Sequence, residues 1–261
     1  ARVAGLPSRP RGPTTASPAP IYTVERVRSH MRLIEGTLAD VDRDRAVTTA
    51  LPGLAADADE SVLRVWTPPR QLAFGRRDAA ADGYDRARRI AARRGYTPIE
   101  RRVGGSAVAY TGDTVSFAYA VPTDDARDGI DRRYRDAAEA VLGAFRAVGA
   151  SVTRGEPADS FCPGDYSIRG GGKIAGIAQR VKRDCALVGG CVIVRSADRE
   201  AIAAVLDPVY SALGVPFAPE SVGSVATAGG PEDVAPVVDA LEAVFGADRS
   251  TTRVPAAELV E

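Results

Sequence analysis

The spacing of apolar residues predicts helices in several stretches of the chain. Apolar side chains that recur every three or four residues lie on one face of a helix. The clearest case is 130–148, where Ala138, Val141, Leu142 and Phe145 share such a face. The same spacing, less regular, predicts helices over 34–54, 84–94, 199–213 and 231–245.

Other stretches alternate apolar and polar residues, as half-buried strands do. This alternation predicts strands over 61–67, 71–76, 97–103, 106–111, 114–121, 166–169, 173–181 and 186–194. For 173–181 the pattern fits a helix equally well. Glycines at 104–105 and at 112 predict hairpins between the middle strands. Because strands and helices do not alternate regularly, we expect one α/β (α+β) domain with a mixed, largely antiparallel sheet flanked by helices.

The first residues of the chain differ from the rest in composition. Residues 1–22 contain five prolines among Ser, Thr, Gly and Arg, which predicts a disordered tail. Regular patterning begins close to Met31, the single methionine, and we expect natural translation to start there. Residues 23–261 are then expected to form the folded domain.

Composition narrows the classes of function. The chain has 261 residues, 45% hydrophobic and 26% charged, as an ordinary globular protein does. No apolar run approaches the roughly 20 residues of a membrane helix, and a formal net charge of +0 argues against a nucleic-acid partner. Three cysteines without CxxC spacing favour a reducing, cytoplasmic location. His30 is the only histidine, so we expect neither a histidine-dependent catalytic triad nor a zinc cluster.

Lysine is rare in this chain, which singles out Lys173. Only two of the 34 basic residues are lysines, Lys173 and Lys182, and the rest are arginines. Arginine substitutes for lysine where any positive charge suffices, but not where a compact ammonium group must fit among oxygens. Lys173 also follows three glycines, 170–172, which let a backbone approach a ligand. A lysine in an exposed turn is the simpler alternative.

Two further motifs suggest chemistry. Arg101 and Arg102 precede Gly104 and Gly105, which places guanidinium groups beside exposed backbone amides, an arrangement suited to a phosphate or a mixed anhydride. A hairpin with solvated arginines is the alternative. Cys162 lies in a loop rich in turn residues, where it is either a buried structural thiol or a nucleophile.

Three other patterns are given a less specific interpretation. Nine arginines fall within 76–102 without interleaved aromatic residues, which favours a solvated helix face or a docking surface for an acidic protein over a nucleic-acid site. The stretch 170–175 contains G-x-G-x-x-A but lacks the acidic residue of a dinucleotide site. A phosphate loop is excluded as well, because Ser167 stands where glycine is required.

Three motifs, in this order, resemble the lipoate–protein ligase family within the biotin and lipoate ligase fold. Phe74-Gly75-Arg76 is similar to the family's glycine-arginine strand end, and 101–108 is similar to its acyl-adenylate loop. The stretch 172–179, Gly-Lys-Ile-Ala-Gly-Ile-Ala-Gln, resembles the lysine signature and is the most specific of the three. The similarity runs from about Met31 to Leu213, and we expect no separate C-terminal accessory domain.

The resemblance implies an enzyme that attaches a lipoyl or octanoyl group to a lysine of a carrier domain. The leading hypothesis is an ATP-dependent ligase, in which lipoate and ATP, with Mg²⁺, form a lipoyl-adenylate that the target lysine attacks. Lys173 would stabilise charge on acyl and phosphate oxygens, and Asp165 would help to position the metal. The residues implied in acyl-adenylate and ATP binding are Arg76, Arg101, Arg102, Gly104, Gly105, Ser106, Ala107, Val108, Gly176 and Ala178.

Two alternatives stay open at this point. A cysteine acyltransferase of the same fold would carry the acyl group as a thioester on Cys162 and would need no ATP. A non-catalytic member would bind lipoyl domains or acyl ligands as a partner subunit. The partners implied are lipoyl domains of 2-oxoacid dehydrogenase complexes or the glycine cleavage H protein, with a separate accessory subunit in place of the missing domain. Neither nucleic acid nor a membrane is expected as a partner.

Overall fold

The computed structural model describes residues 30–101, 105–124, 129–182 and 184–260. The predicted tail at 1–22, Arg102 and Gly104 lie outside these described residues. The helices are α1 (Val41–Ala58), α2 (Arg76–Ala79), α3 (Tyr84–Arg93), α4 (Ile130–Ala147), α5 (Ser196–Leu213) and α6 (Ala235–Phe245). The strands are β1 (His30–Glu35), β2 (Ser61–Trp66), β3 (Gln71–Phe74), β4 (Thr97–Glu100), β5 (Val108–Tyr110), β6 (Val115–Pro122), β7 (Thr153–Arg154), β8 (Ile168–Arg169), β9 (Lys173–Val181), β10 (Cys185–Val192) and β11 (Ser250–Pro255).

The strands form two sheets. The larger sheet has the order β11-β1-β2-β6-β10-β9-β8-β7, in which β1 is parallel to β2 and β11 and the other neighbours are antiparallel. The smaller sheet has the order β4-β3-β5, with β4 parallel and β5 antiparallel to β3. The predicted fold class is therefore confirmed, since a mixed, largely antiparallel sheet is flanked by helices.

Helices cover both faces of the large sheet. On one face α4 and α6 contribute Phe145 and Leu241 to a core that includes Phe117 of β6. On the other face α1 contributes Val47 and Leu51. Burying one side chain of this size contributes about 1.5–3 kcal/mol. The apolar stripes seen in the sequence are thus the main source of stability of this layer.

The small sheet has its own core, covered by α3 and α5. Its buried members include Leu72, Phe74, Ile90, Leu206 and Tyr210. Residues of both sheets line a cleft between them. Among the described helices, none has the length together with the apolar composition that crossing a bilayer requires.

Most predicted elements are confirmed, and 173–181, for which both a strand and a helix are predicted, is the strand β9. The helix predicted over 34–54 is wrong at its start. Residues 30–35 form β1, and α1 begins after Asp40, whose side chain accepts a hydrogen bond from the Arg43 backbone N–H. A six-residue strand directly before a helix is too short to show its own period.

The two predicted hairpins are also wrong. β3 lies between β4 and β5, so the glycines at 104–105 connect strands that do not pair with each other. β5 belongs to the small sheet and β6 to the large one, so Gly112 and Asp113 turn the chain from one sheet to the other. Glycine marks a turn, but the packing of the layers decides which strand becomes the partner. The strand predicted over 71–76 ends at Phe74, and Arg76 begins α2.

Candidate active site

A cleft of about 760 Å³ opens where the small sheet faces β9, β10 and the loop between β7 and β8, residues 155–167. The small sheet lines it with Ala73, Val108 and Tyr110. The predicted site residues that line the cleft are Arg101, Gly105, Val108, Cys162, Asp165, Lys173, Gly176 and Ala178. Residues far apart in sequence, chosen for their chemistry, therefore meet in one cavity.

Some predicted site residues do not line this cleft. Arg76 is exposed at the start of α2, and neither Ser106 nor Ala107 is among the lining residues. The carbonyl of Ala107 instead accepts a hydrogen bond from the Tyr210 hydroxyl at 3.0 Å. Contact of Arg76, Ser106 and Ala107 with an acyl-adenylate stays a prediction, and it requires a ligand that extends beyond the cleft.

Lys173 is the first residue of β9 and is 1% exposed. Its Nζ lies 3.1 Å from both carboxylate oxygens of Glu156. The same nitrogen donates to the carbonyl of Phe161 at 3.0 Å and to that of Cys162 at 2.7 Å. Since an ammonium group has three N–H donors, all of its donors are engaged inside the protein. This burial excludes the exposed turn lysine.

Glu156 is a site residue that sequence reasoning missed. Besides the two contacts with Lys173, its carboxylate accepts hydrogen bonds from the hydroxyls of Ser160 and Ser167 and from the Gly164 backbone N–H. It stands 17 residues before Lys173, in a loop without a repeating pattern. No signal in the sequence marks such a residue, because its role depends on how the loop folds back on the sheet.

Cys162 is held in an unusual backbone conformation. Its φ is +43°, a value that costs a residue with a side chain about 1–3 kcal/mol. Its N–H donates to the Tyr210 hydroxyl at 2.8 Å, which fixes the loop against α5. Its Sγ lies 3.3 Å from Nη2 of Arg101. The thiol therefore faces a guanidinium group inside the cleft.

Two glycines allow the chain to approach this thiol. A Cβ on Gly105, whose φ is +92°, would lie 2.7 Å from the sulfur of Cys162. A Cβ on Gly75 would lie 1.8 Å from the carbonyl oxygen of Gly105. Of the two residues in the glycine-arginine strand end, Gly75 is the one connected to the site, because it packs against the carbonyl of Gly105. Arg76 is exposed.

Two further glycines, on β9 and β10, lie on the wall of the cleft formed by the large sheet. A Cβ on Gly190 would lie 2.5 Å from the ring of Phe117 and 2.7 Å from the carbonyl oxygen of Gly176. A Cβ on Gly176 would lie 3.4 Å from Cε of Lys173. This is an ordinary van der Waals contact, so Gly176, predicted as an adenylate contact, lies beside the lysine side chain without being required to make room for it.

Burial changes the titration of several groups here. It lowers the pKa of Lys173, which the carboxylate of Glu156 only partly offsets. Burial acts to raise the pKa of Glu156, but the hydroxyls of Ser160 and Ser167 and the charge of Lys173 bring it below its ordinary value. Burial raises the pKa of Cys191, which also lines the cleft, to about 12. Cys191 is thus a neutral thiol at physiological pH.

Asp165, for which a metal role is predicted, lies at the edge of the site. Asp165 is exposed and lines the cleft. Within the described ranges, no three His, Cys, Asp or Glu side chains come together in a group suited to a metal ion. Because Mg²⁺ at a nucleotide is held by only one or two carboxylates together with the phosphates, the metal role of Asp165 stays a prediction.

Solved structures place this fold among the lipoate ligases. The chain is similar to lipoate-protein ligase A bound with ATP, with a TM-score of 0.70 and 21% identity over 88% of this chain and 92% of that one. A bi-partite lipoate protein ligase from Thermoplasma acidophilum gives a TM-score of 0.64 and 19% identity, over 89% of this chain and 91% of that one. Both likenesses concern the fold alone.

The family follows from the sequence match. Residues 44–246 match the lipoyl protein ligase A/B catalytic domain, and the chain belongs to this family. The octanoyl-[GcvH]:protein N-octanoyltransferase of Geobacillus kaustophilus is 31% identical over 148 residues, 56% of this chain and 52% of that protein. The lipoyl-[GcvH]:protein N-lipoyltransferase of Listeria monocytogenes is 26% identical over 121 residues, 46% of this chain and 44% of that protein. The chain spans about half the length of these curated relatives.

Proposed function

We propose that this chain is a cysteine-dependent acyltransferase, which moves an octanoyl or lipoyl group through Cys162 to a lysine of a carrier domain. The observation that carries this proposal is the position of the thiol, in the cleft and 3.3 Å from Nη2 of Arg101. A guanidinium group at this distance stabilises negative charge that develops on the sulfur or on an attached acyl oxygen.

Each half of the proposed reaction forms one bond and breaks one bond. In the first half, Sγ of Cys162 attacks the acyl carbon of an acylated carrier lysine. A C–S bond forms, the C–N bond breaks, and the thiol proton leaves with the donor amine. In the second half, the amine of the acceptor lysine attacks the thioester, the C–S bond breaks, and a proton returns from that amine to the sulfur. Since donor and product are both amides, the exchange needs no ATP.

The contacts of Lys173 favour this route over the ATP-dependent ligase, the leading hypothesis from the sequence. Its N–H groups are engaged by Glu156 and two loop carbonyls, so contact with an acyl-adenylate requires one of these bonds to break. In the transferase the same bonds have a direct use, because they hold the main chain of Cys162. For the ligase route, charge stabilisation by Lys173 and phosphate binding by Arg101 stay predictions. The use of ATP and lipoate as substrates and of Mg²⁺ as the metal also stays a prediction.

The names of the relatives support the choice of carriers. The Geobacillus and Listeria proteins are named as octanoyl- or lipoyl-[GcvH]:protein transferases, and the Thermoplasma ligase is described with its E2 lipoyl domain. We therefore propose a glycine cleavage H protein and a lipoyl domain of a 2-oxoacid dehydrogenase as the carriers. A separate accessory subunit and a cytoplasmic location stay predictions.

The test compares donors and cysteine variants. The protein is incubated with an octanoylated H protein and a lipoyl domain without ATP, and in parallel with lipoate, ATP and Mg²⁺, and intact masses are recorded. We expect transfer without ATP and a hydroxylamine-sensitive octanoyl adduct on the enzyme. Cys162→Ser should lower transfer on the order of 10³-fold or more, as removal of a nucleophile does. Cys185→Ala, at a buried cysteine outside the cleft, is the matched control and should retain transfer.

Two outcomes would reject the proposal. Transfer that requires ATP and survives Cys162→Ser would identify a ligase. Binding of a lipoyl domain without transfer from any donor would identify a non-catalytic member of the family.

A further inference from the structure

We propose that Glu156 is a positioning residue, whose carboxylate holds the 155–167 loop in the conformation that presents Cys162 to the cleft. The inference rests on the proposed function for what the thiol does. The holding of the loop rests on contacts within the chain and is tested separately. Glu156 contacts no reacting atom and acts through the loop and Lys173.

The carboxylate joins donors from both sides of the cysteine. One oxygen accepts from the hydroxyl of Ser160, which precedes Cys162. The other accepts from the N–H of Gly164 at 3.0 Å and from the hydroxyl of Ser167, which follow it. Both oxygens accept from Nζ of Lys173. A carboxylate has about four lone-pair sites, so this one is fully used and ties the loop to itself and to β9.

Burial makes this shared acceptor important. Ser160, Ser167 and Lys173 are 4%, 1% and 1% exposed, so none of their polar groups has ready access to water. Among the described residues, the hydroxyls of Ser160 and Ser167 have further acceptors only in carbonyls of the same loop, those of Phe161 at 3.4 Å and Gly164 at 3.0 Å. Without the carboxylate, the loop loses the charge that offsets the buried ammonium, which is unfavourable. Glu156 is the acceptor that these three side chains have in common. Loss of its charge therefore disturbs the whole loop rather than one contact.

Cys162 depends on such a constraint because of its backbone. A residue with a side chain rarely adopts a φ of +43°, and it keeps this value only where surrounding contacts impose it. Lys173 holds the carbonyl of Cys162 at 2.7 Å, and Tyr210 holds its N–H at 2.8 Å. Since Glu156 fixes Lys173, the carboxylate indirectly sets the direction in which the thiol points.

Glu156→Gln tests the inference in the full chain. The variant keeps the shape of the side chain, but it removes the charge and turns one acceptor into a donor. We expect kcat for transfer from octanoylated H protein to fall about 100-fold, as for a group displaced from its reactive position, with little change in KM. Because Cys162 is half-buried in the held loop, release of the loop should expose its thiol. Its alkylation by iodoacetamide, measured by peptide mass spectrometry, should therefore rise relative to that of Cys191, even though the thiol moves away from Arg101. Glu200→Gln, an exposed carboxylate of α5, should match the wild type in both measurements.

The opposite directions of the two changes distinguish positioning from general stability. If alkylation of Cys162 and Cys191 rises together, the variant has loosened as a whole and the proposal is wrong. An unchanged kcat with an unchanged alkylation ratio would also overturn it.

A second variant serves if Glu156→Gln does not fold. Ser160→Ala combined with Ser167→Ala keeps the ion pair and removes two of the loop contacts. The same opposite changes are expected, smaller in size, and an unchanged alkylation ratio would contradict the proposal. Failure of the proposed function is recognised separately, because Cys162→Ser would then retain transfer. The alkylation ratio in Glu156→Gln, compared with the wild type, would still report whether Glu156 holds the loop.

Discussion

The two groups at the centre of the site are held in contrasting ways. Lys173 begins β9, whose backbone pairs with β10 over 175–181 and with β8 at Ile168 and Arg169. Cys162 lies in the 155–167 loop, which has no regular strand or helix. There the main chain is held mostly by hydrogen bonds to side chains, those of Glu156, Ser160, Ser167, Lys173 and Tyr210. Backbone bonds add to these at Gly155 and Asp159.

This difference determines how each position responds to mutation. A strand position is specified by many backbone hydrogen bonds, each of which any non-proline residue supplies. A loop held by side chains depends on the identity of each of them, because no other residue supplies the same donor or acceptor. The lysine is therefore placed by the fold, whereas the cysteine is placed by a few particular residues.

The largest effect is expected where the two regions meet. Lys173→Met removes the cation and leaves the carboxylate of Glu156 and the carbonyls of Phe161 and Cys162 without this donor. We expect the free energy of unfolding to fall by about 3 kcal/mol, the lower end for a broken buried pair, because Glu156 keeps 23% of its side chain exposed. Urea denaturation followed by Trp66 fluorescence measures it. Lys182→Met, at the exposed lysine, is the control, and equal losses in both variants would contradict the prediction.

The next effect concerns the glycine contact behind the thiol. In Gly75→Ala the new methyl group would lie 1.8 Å from the carbonyl oxygen of Gly105, so the backbone must shift. We expect a loss of about 1–3 kcal/mol in the free energy of unfolding, as for other overpacked sites. Gly53→Ala in α1, where a Cβ meets no atom within 4 Å, should instead stabilise the protein by up to about 1 kcal/mol. Similar values for both variants would show that the contact is not a constraint.

A smaller effect should appear in the dependence of stability on pH. The pKa of Glu156 in the folded protein lies below its ordinary value of 4.5, so the unfolded chain binds a proton first as the pH falls. Its contribution is complete above pH 4.5 and is lost as the pH falls through the lower folded-state value. The free energy of unfolding should therefore decline more steeply with acid in the wild type than in Glu156→Gln. Parallel curves from urea titrations at several acidic pH values would contradict this.

The smallest effect is expected on α3, which lies outside both β9 and the 155–167 loop. Arg88 and Arg89 do not line the cleft, and the guanidinium of Arg88 lies over the ring of Tyr84. Exposed charges act on the rate of encounter and are screened by salt. Reversing both to Glu should raise the apparent KM for an acidic carrier slightly at low salt and flatten its salt dependence, with acylation of Cys162 unchanged. A slower acylation step would show that α3 contributes to the chemistry.

Part of the site was accessible from the sequence alone. Lys173, Arg101, Gly105 and Cys162 were each singled out by rarity, by neighbouring glycines or by the family resemblance, and they meet in one cleft. Glu156 was not, because a lone carboxylate in an irregular loop has no pattern. The contact between Arg101 and Cys162 joins residues 61 positions apart, a distance that no local spacing reports.

The sequence by itself determined most of the longer helices and strands and which residue types carry the chemistry. The period of apolar residues records burial along each element, and this is sufficient for α4 and α5, whereas for β9 it left a strand and a helix open. Only the tertiary structure decided that β4 and β5 both pair with β3, that the two sheets enclose a cleft, and that Glu156 closes the loop around Cys162. These depend on contacts between segments distant in the chain, and such contacts are selected by the packing of whole layers rather than by local preference.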